Sequence, residues 1–445
     1  MKKLAIIGLA LSGESAAILA ISDGFAVLVS DGKDNEIVRQ RANNLTDRGA
    51  LIELGGHTER VLDSDLIIVS PGVPLSIPII QQARVQGIPV ISEVEFAFRH
   101  EQGQVIAVTG SNGKSTTSTL IAKIFEEAGI PTFLAGNIGM PYSSIVTKTS
   151  PNSVTVLELS SFQLEAMDAF HPHVSVLLNL SPDHLDRYAT SGEYYAAKFH
   201  IFDNQDASDY AVLWADQQEV ASLSKKISAQ SLFYSASLKI SSGADVREDF
   251  ICRNGERVIM SSQLGIPGPH NLANALSAVA STIPYELPAR SIAETLRIFK
   301  GIEHRLECFL EHNGIIFVND SKATNPDSLR YALLSFEKPI VIILGGYDKG
   351  NDFSELRELV GKKVKAAIFT GATGEGMAQQ LGDAALFSVF VSKFEDAVQR
   401  AISLAQQGDV VMLSPGCASF DAFNNFEHRG KVFKELVRKF VGVSQ

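Results

Sequence analysis

The residues whose types and spacing most directly suggest chemistry lie between 105 and 125, which read VIAVTGSNGKSTTSTLIAKIF. An apolar run enters a Gly/Ser/Asn turn that ends in GKST, residues 113–116, before a helix-compatible segment. The N–H groups of such a turn and of the following helix attract phosphate. Lys114 can reach terminal phosphates, and Ser115 or Thr116 can place a hydroxyl on Mg²⁺. The loop is shorter than the usual form, yet the order strand–loop–helix predicts nucleotide binding. The alternative is a strand–helix turn with a chance lysine.

Two later segments combine carboxylates with other metal ligands. Glu158, in LELSSFQL, ends a very apolar strand, where a carboxylate beside a phosphate loop suits Mg²⁺. The alternative, which this segment supports equally well, is a glutamate at a sheet edge or a helix cap. A second strand ends in NLSPDHLDRY, residues 179–188. The turn that follows holds Asp183, His184, Asp186 and Arg187. Carboxylate and imidazole together can hold a metal, whereas the alternative is a capped helix with a salt bridge.

Two helical segments carry further polar candidates. Lys198 lies in EYYAAKFHIF, a helix of mixed polarity, and from the residues alone we expect it in solvent. Asn271 and Asn274 lie one turn apart at the start of the helix in PGPHNLANALSA, so they share a face. Amides placed in this way can read a base edge or a sugar. The alternative is a helix capped by asparagine.

The N-terminal run GLALSG, residues 8–13, follows a strand and resembles a dinucleotide fingerprint, and Asp31 ends the next strand at the ribose-binding distance. Ala10 replaces the middle glycine, so NAD is disfavoured. A nucleotide-linked substrate fits the pattern better. Lys33 offers a nearby cation, and the turn Ser70-Pro71-Gly72 ends another strand facing the same crevice.

The C-terminal third contains three polar loops, FVNDSKATNPDS, LGGYDKGND and SPGCASFDAFNNFEHRG, each at the end of a strand. Ligands of open α/β sheets bind at that edge. Together the loops carry Asp320, Lys322, Thr324, Lys349 and Ser419. They predict a polar, partly cationic pocket, against the alternative of ordinary loop chemistry.

These motifs lie on strand-like runs that alternate with helix-period segments, and this predicts an α/β protein with parallel strands buried on both faces. Examples of the runs are 4–8, 26–31, 65–72, 105–110, 154–160, 174–181, 339–346, 366–371 and 409–416. Composition shifts predict three domains, 1–96, 97–298 and 299–445. The stretch 225–262 predicts short, antiparallel strands.

The chain has 445 residues, of which 45% are hydrophobic and 20% charged, as in globular proteins. Its net charge of −11 and the lack of a basic block argue against nucleic acid as a partner. Three separated cysteines predict neither disulfides nor a zinc site. We expect no targeting segment, no membrane insertion, a cytoplasmic location and a monomer.

Taken together, the motifs resemble the Mur ligase family, the ATP-dependent amide-forming enzymes of peptidoglycan synthesis. The short ATP loop TGxNGK[ST] is matched from Thr109 to Ser115, and the resemblance extends over the whole chain. It implies a Rossmann-like first domain, a P-loop ATPase-like central domain and a Rossmann-like third domain. The motifs NDSKATNPDS, GGxDKG and SPxCASFDxFxxFExRG resemble the members that add D-glutamate to UDP-N-acetylmuramoyl-L-alanine. The departures are small: Ser111 replaces a common Thr, and Gly416 a frequent Ala.

The resemblance implies a role for each matching residue. The nucleotide-sugar substrate would contact Leu11, Ser12, Asp31, Ser70, Pro71, Gly72, Asn137, Ser160, Gln163 and His184. ATP would contact Gly110, Ser111, Asn112, Gly113, Lys114, Ser115, Thr116, Asn271, Arg305 and Asp320. Two Mg²⁺ ions would be bound by Ser115, Glu158, His184 and a carbamylated Lys198. D-Glutamate would contact Lys322, Thr324, Lys349, Ser419 and Phe426. Catalysis would depend on Lys114, Glu158, His184 and Lys198.

Three other functions share part of this pattern. A folylpolyglutamate synthetase shares the ATP loop, but the NDSKATN loop and the first domain argue against it. A non-catalytic nucleotide-binding regulator would not need the set Lys114, Glu158, His184 and Lys198. A dehydrogenase would show spectral changes with NAD(P), and we expect none.

Overall fold

The computed structural model of the protein describes residues 2–183, 187–266, 268–347 and 352–443, apart from the side chain of Asp327. The chain forms two compact units. The first comprises residues 1–263 and 273–296, and the second comprises 264–272 and 297–445. The predicted ligands His184 and Lys349 lie outside the described residues.

The first sheet of the first unit is entirely parallel, with the strand order β3-β2-β1-β4-β5. Its strands are β1 (Lys3–Ile7), β2 (Ala26–Asp31), β3 (Leu51–Leu54), β4 (Leu66–Val69) and β5 (Val90–Ser92). Its helices are α1 (Leu11–Ser22), α2 (Glu36–Thr46), α3 (Pro78–Val85) and α4 (Glu93–Phe98). The reversal of strand order beside β1 creates the crevice in which such sheets bind ligands.

The second sheet of the first unit has the order β14-β13-β12-β11-β10-β9-β6-β8-β7. Its strands are β6 (Gln104–Thr109), β7 (Thr132–Gly136), β8 (Val154–Glu158), β9 (Val174–Leu177), β10 (Tyr210–Trp214), β11 (Gln230–Ser235), β12 (Gly243–Arg247), β13 (Phe250–Arg253) and β14 (Glu256–Met260). The helices of this region are α5 (Lys114–Glu127), α6 (Ser161–Leu164), α7 (Ser191–Phe199), α8 (Gln218–Ala221), α9 (Pro269–Ser281) and α10 (Ala289–Ile298). Within 225–262, β12, β13 and β14 are antiparallel as predicted, whereas β11 pairs in parallel with both neighbours.

The sheet of the second unit has the order β15-β16-β20-β17-β18-β19, with only β15 antiparallel among these strands. Its strands are β15 (Glu307–His312), β16 (Ile315–Asn319), β17 (Ile340–Leu344), β18 (Val364–Phe369), β19 (Phe387–Phe390) and β20 (Val410–Leu413). Its helices are α11 (Pro326–Leu334), α12 (Arg357–Lys363), α13 (Gly374–Leu381), α14 (Phe394–Leu404) and α15 (Phe426–Val441).

The predicted α/β class is confirmed, and burial explains why the sequence signal was strong. Every residue of β17 and of β20 is buried, so both strands are continuous apolar runs. Such runs identify strands that are covered on both faces. Their carboxyl ends lead into the polar loops from which the site is built.

The polar segment after β5 carries three carboxylates that bond to a distant part of the chain. Glu95 in α4 is fully buried, and its Oε2 accepts hydrogen bonds from the backbone N–H groups of residues 168, 169 and 170. Glu93 Oε1 accepts from the backbone N–H and hydroxyl of Ser143, and Glu101 Oε2 accepts from Tyr142. Three carboxylates therefore attach this segment to the second sheet region of the same unit.

Candidate active site

The phosphate loop has the conformation that its sequence predicts. Gly113 caps the N-terminus of α5 with φ of +86°, where L-residues with a side chain are strained. A Cβ atom at this position would lie 2.3 Å from Asn274 Oδ1. Glycine is therefore required both by the backbone and by the close approach of Asn274. Asn271 and Asn274 were predicted to share a helix face. Asn274 belongs to the first unit and lies beside the loop, whereas Asn271 belongs to the second unit.

The loop is held from one side by residues that sequence analysis did not assign. Asn179 Oδ1 accepts from the Asn112 N–H at 2.8 Å, and Asn179 Nδ2 donates to the Asn112 carbonyl at 2.9 Å. The Ser111 hydroxyl donates to the Ser181 carbonyl and accepts from the Ser181 N–H. The motif NLSPDHLDRY contains both residues, but their role depends on the pairing of β6 with β9, which sequence spacing does not reveal.

Two lysines converge on one carbonyl oxygen of this loop. Lys114 Nζ donates to the carbonyls of Gly110 at 2.8 Å and Ser111 at 2.9 Å. Lys198 Nζ donates to the same Gly110 oxygen at 2.9 Å. Burial, followed by repulsion from Lys114, lowers the pKa of Lys198 well below its usual value. Burial and the neighbouring Lys114 therefore disfavour the charged form of the Lys198 amine.

The expectation that Lys198 lies in solvent is wrong. Its residue is only 1% exposed, and Nζ lies 4.3 Å from the centroid of the Tyr194 ring. The helix α7 was read as mixed in polarity because a lysine was counted as polar, whereas here the whole side chain points inward. A buried lysine beside a phosphate loop is rare enough to indicate function.

Glu158 ends β8 next to the loop, since it pairs in register with Val108 of β6. The residue is 2% exposed. Its Oε1 accepts from Asn137 Nδ2 at 2.8 Å, and its Oε2 has no hydrogen-bond partner among the described residues. A buried carboxylate oxygen without a partner is costly unless a ligand completes it. Ser115, in the first turn of α5, is also buried. These two oxygens fit the hard ligand set that Mg²⁺ requires.

The residues expected near the sugar and peptide of the substrate extend from the same region. Asn137 follows β7 and is exposed apart from its bond to Glu158. Ser160 and Gln163 form a capping box at the start of α6, in which Gln163 Oε1 accepts from the Ser160 N–H. Their first role is thus to fix the helix start.

The first crevice is built as its fingerprint predicts. A Cβ at residue 13 would lie 1.9 Å from the Gly8 oxygen, so α1 packs against β1 only with glycine there. Asp31 accepts from the Leu9 N–H at 2.5 Å and from the Lys33 N–H at 2.7 Å. Leu11 and Ser12 begin α1, and Leu11 is 58% exposed.

The turn after β4 faces this crevice. The Ser70 hydroxyl donates to the Gly8 carbonyl at 2.8 Å and is buried, while Pro71 is half-buried and Gly72 exposed. The turn after β4 and the turn after β1 are therefore hydrogen-bonded to each other.

The second unit gathers its predicted residues after β16 and β20. Asp320 is buried, and it accepts from the Leu306 N–H at 3.1 Å and the Ser414 hydroxyl at 2.8 Å. Burial raises its pKa to about 7, although Arg305 acts in the opposite direction. Arg305 is half-buried, and Asn271, which also belongs to this unit, is buried.

Sequence analysis missed Arg429, which joins the two loops expected to contact D-glutamate. It is 2% exposed, and its guanidinium donates to both the hydroxyl and carbonyl of Ser321 and to the carbonyls of Cys417 and Ala418. The motif FEHRG contains this arginine, but only tertiary structure shows what it bonds.

The remaining predicted residues of this region surround those loops. Ser419 is buried, and Thr324 is half-buried. Lys322 Nζ lies 5.6 Å from the centroid of the Phe426 ring. The Phe426 carbonyl accepts from the Ser321 hydroxyl at 2.8 Å. The described members of the predicted set are therefore brought to one edge of the sheet.

Two other clusters of metal-ligating side chains occur among the described residues, and neither contains a predicted site residue. Lys434 donates to both glutamates of the cluster Glu303, His304 and Glu307 at 2.7 Å, so a cation already balances it. The other cluster consists of His171, Asp206 and Asp209.

No described helix is long and apolar enough to cross a membrane.

Comparison with known protein families gives three consecutive matches. The model of the "Mur ligase MurD-like, N-terminal domain" matches residues 2–92. The "Mur ligase middle domain" matches 108–282, and the "Mur ligase, glutamate ligase domain" matches 304–417.

Curated relatives are similar along nearly the whole chain. The UDP-N-acetylmuramoylalanine--D-glutamate ligase of Koribacter versatilis is 42% identical over 443 residues, which is 98% of this chain and 97% of the relative. The enzyme of the same name from Pelotomaculum thermopropionicum is 41% identical with the same coverage.

Solved structures support the fold. The UDP-N-acetylmuramate-alanine ligase MurC of Thermotoga maritima has a TM-score of 0.63 at 21% identity, covering 99% of this chain and 100% of that one. MurF ligase of the same organism, solved in complex with ADP, has a TM-score of 0.62 at 16% identity, with coverage of 94% and 95%.

Proposed function

The chain belongs to the Mur ligase family, and we propose that it uses ATP to join D-glutamate to UDP-N-acetylmuramoyl-L-alanine. The enzyme is an ATP-dependent ligase of peptidoglycan precursor synthesis. The observation that carries the residue assignments is the convergence of Lys114, Lys198 and the incompletely bonded Glu158 on one phosphate loop. We place the reaction in the cytoplasm, where ATP is available, and expect the enzyme to act as a monomer.

We propose that the three functions are divided along the chain as 1–96 for the nucleotide sugar, 97–298 for ATP and 299–445 for the amino acid. Each range contains one sheet, and the family models begin and end within these ranges.

For ATP, the N–H groups of residues 110–116 and the N-terminus of α5 offer hydrogen bonds and a partial positive charge to the phosphates. Lys114 donates to two carbonyls of the loop. We propose that it exchanges these carbonyls for phosphate oxygens, since an anion is the stronger acceptor. The family resemblance also implies nucleotide contacts for Asn271, Arg305 and Asp320, and we keep these as predictions.

We propose that Ser115 and Glu158 hold one Mg²⁺ ion, because Glu158 Oε2 is buried without a partner among the described residues. When bound, Mg²⁺ offsets the charge on the transferring phosphoryl group. Asn137, by donating to Oε1, leaves Oε2 as the free oxygen of this carboxylate. The second ion would use His184 and Lys198.

Lys198 would serve as a ligand after carbamylation. Its neutral amine would attack CO₂, forming an N–C bond and releasing one proton, and the product is an anionic oxygen ligand. Burial and the neighbouring Lys114 favour the neutral amine that this step needs. The modification would also remove the repulsion between two ammonium groups at the Gly110 carbonyl.

The chemistry follows from the substrate. A carboxylate is a poor electrophile because oxide would have to leave, so the L-alanine carboxylate must first accept the γ-phosphoryl group. The amine of D-glutamate loses a proton and attacks the acyl carbon. The C–N bond forms, the C–O bond to phosphate breaks, and a second proton leaves the nitrogen, giving the amide and inorganic phosphate. Lys114 stabilises charge on the transferring group. In the second unit, Lys322, Thr324, Lys349, Ser419 and Phe426 would contact D-glutamate.

The test is phosphate release from ATP and Mg²⁺ with UDP-N-acetylmuramoyl-L-alanine across a panel of D- and L-amino acids. We expect release only when both the nucleotide sugar and D-glutamate are present. Release with another amino acid would retain the ligase and reject the substrate. No release with any amino acid would reject the reaction.

A further inference from the structure

Arg187 contacts two segments of the first unit that are assigned above to the nucleotide-sugar substrate. Its Nη1 donates to the Pro71 carbonyl at 3.1 Å, and its Nη2 donates to Glu165 Oε2 at 2.9 Å. Its guanidinium carbon lies 3.9 Å from the centroid of the Phe162 ring. Pro71 belongs to the turn after β4, while Phe162 lies in α6 and Glu165 ends it. One side chain thus joins both segments.

The contacts of Arg187 are mutually supporting. The side chains of Arg187 and Glu165 are only 17% and 16% exposed, so the ion pair is partly shielded from water. Tyr188 donates its hydroxyl to the other oxygen of Glu165, and its ring stacks on Phe162. A planar guanidinium can stack on a ring while donating in two directions, which a lysine cannot do.

The turn that Arg187 contacts is anchored on its other side as well. The Ser70 hydroxyl donates to the Gly8 carbonyl at 2.8 Å, and the Val73 N–H donates to the Ser70 carbonyl at 3.0 Å. The neighbouring Pro71 carbonyl is the group that receives Arg187. The turn is therefore held by two hydrogen bonds, from the Ser70 hydroxyl to the Gly8 carbonyl and from Arg187 to the Pro71 carbonyl, and the second of these links it to α6.

We propose that Arg187 is a positioning residue for the nucleotide-sugar substrate, setting the distance between the turn 70–72 and the start of α6. This inference rests on the proposed function, because it assumes that these segments contact the two ends of one substrate. A long ligand that bridges two segments binds well only when their spacing is preorganised. Arg187 itself need not touch the substrate.

Arg99 provides a matched control within the same unit. It also bridges two segments, donating to Glu95 Oε1 at 3.1 Å and to Asp168 Oδ2 at 3.3 Å. None of these residues is assigned to a substrate. Loss of Arg99 therefore reproduces the loss of a bridging arginine without changing the turn 70–72.

The experiment compares R187M, R187K and R99M in the full chain by steady-state kinetics. We expect R187M to raise KM for UDP-N-acetylmuramoyl-L-alanine about tenfold, the scale of one hydrogen bond to a charged group. KM for ATP should stay within about twofold, and R187K should lie between R187M and the unchanged enzyme. R99M should leave both KM values unchanged.

Hydrogen exchange supplies a readout that needs no substrate. We expect the Val73 N–H to exchange faster in R187M than in R99M, because the turn has lost one anchor. Equal exchange in the two variants, or equal KM values for the nucleotide sugar, would overturn the inference. If the enzyme without any substitution did not consume the nucleotide sugar, the proposed function itself would be overturned.

Discussion

Buried charges are bonded differently around the phosphate loop of the first unit and around Arg429 in the second. Arg429 donates four hydrogen bonds to the hydroxyl and carbonyls of two loops. Glu158, by contrast, has an oxygen without a partner, and Lys198 donates one hydrogen bond within the described residues. Both regions bury their charges almost completely.

The difference teaches how to separate structural from functional charges. A buried charge whose bonding capacity is filled by the protein stabilises the fold, and removing it leaves unpaired partners. A buried charge with unfilled capacity costs stability, and where it lies beside a phosphate loop we infer that a ligand completes it. Substitution of a charge of the first kind should therefore reduce stability, and substitution of a charge of the second kind should reduce activity.

The largest expected effect is that of Lys198→Met, which should reduce activity at least a hundredfold. The thermal midpoint should not fall, because methionine fills the space without a buried charge. Phosphate release and thermal unfolding would measure both. Lys123→Met, at an exposed position of α5, is the control and should change neither. A destabilised Lys198→Met protein would break the comparison.

Glu158→Gln should reduce activity about a hundredfold and raise the Mg²⁺ concentration needed for half-maximal rate. Glutamine keeps an oxygen for Asn137 but removes the charge. Stability should be unchanged or higher.

Glu93→Gln is the sharper control, because Glu93 is also buried with an Oε2 that lacks a partner among the described residues. Its other oxygen accepts from Ser143. We expect near-normal activity and an unchanged Mg²⁺ requirement. If both glutamine variants lost activity alike, the loss in Glu158→Gln would reflect the disturbance of a buried carboxylate and would not support a role for Glu158 in binding Mg²⁺.

Arg429→Met should destabilise the second unit by about 3 kcal/mol or more, because four acceptors lose a charged donor. Lys439→Met removes an exposed ion pair with Glu395 from the same helix and should cost less than about 1 kcal/mol. Hydrogen exchange along β16 in increasing urea would measure both. A fully stable but inactive Arg429→Met enzyme would contradict a structural role.

The last expected effect is a dependence of stability on pH. Burial raises the pKa of Asp320 to about 7, so the native state holds a proton that the unfolded chain has lost above about pH 4. Stability should therefore fall as pH rises from about 4 to 7, by at most about 1.4 kcal/mol per unit. Asp320→Asn, which imitates the protonated form, should abolish this component. Urea unfolding of the protein without ligands across that pH range would measure this dependence. If the free energy of unfolding changed with pH equally in Asp320→Asn and in the unsubstituted protein, Asp320 would not be its source.

Much of the fold could be predicted from the sequence because parallel strands that are buried on both faces are continuous apolar runs. The nine example runs in the sequence each contain a strand of the structure, with differences of a few residues at their ends. The polar segment after β5 was harder to read. Its carboxylates bond to residues 41 to 75 positions away, so composition alone does not show these contacts.

The candidate site could be predicted where its chemistry depends on residues that are close together in the sequence. The phosphate loop, the first crevice and the C-terminal loops combine turn residues with a strand end, and both features lie within about ten residues. Asn179 and Arg429 were missed because their partners come from other strands and loops. Lys198 was expected in solvent because nothing near it in the chain shows that α7 buries it.

By itself, the sequence determined the α/β class, the glycine-rich loop and the family to which the chain belongs, since each depends on residue type and short-range order. Only the tertiary structure decided that Lys198 is buried, that Lys114 and Lys198 share one carbonyl, and that Glu158 Oε2 has no partner among the described residues. The physical reason is that desolvation and electrostatic repulsion depend on distance in space. Those distances are set by strand pairing, which brings residues from different parts of the chain to one sheet edge.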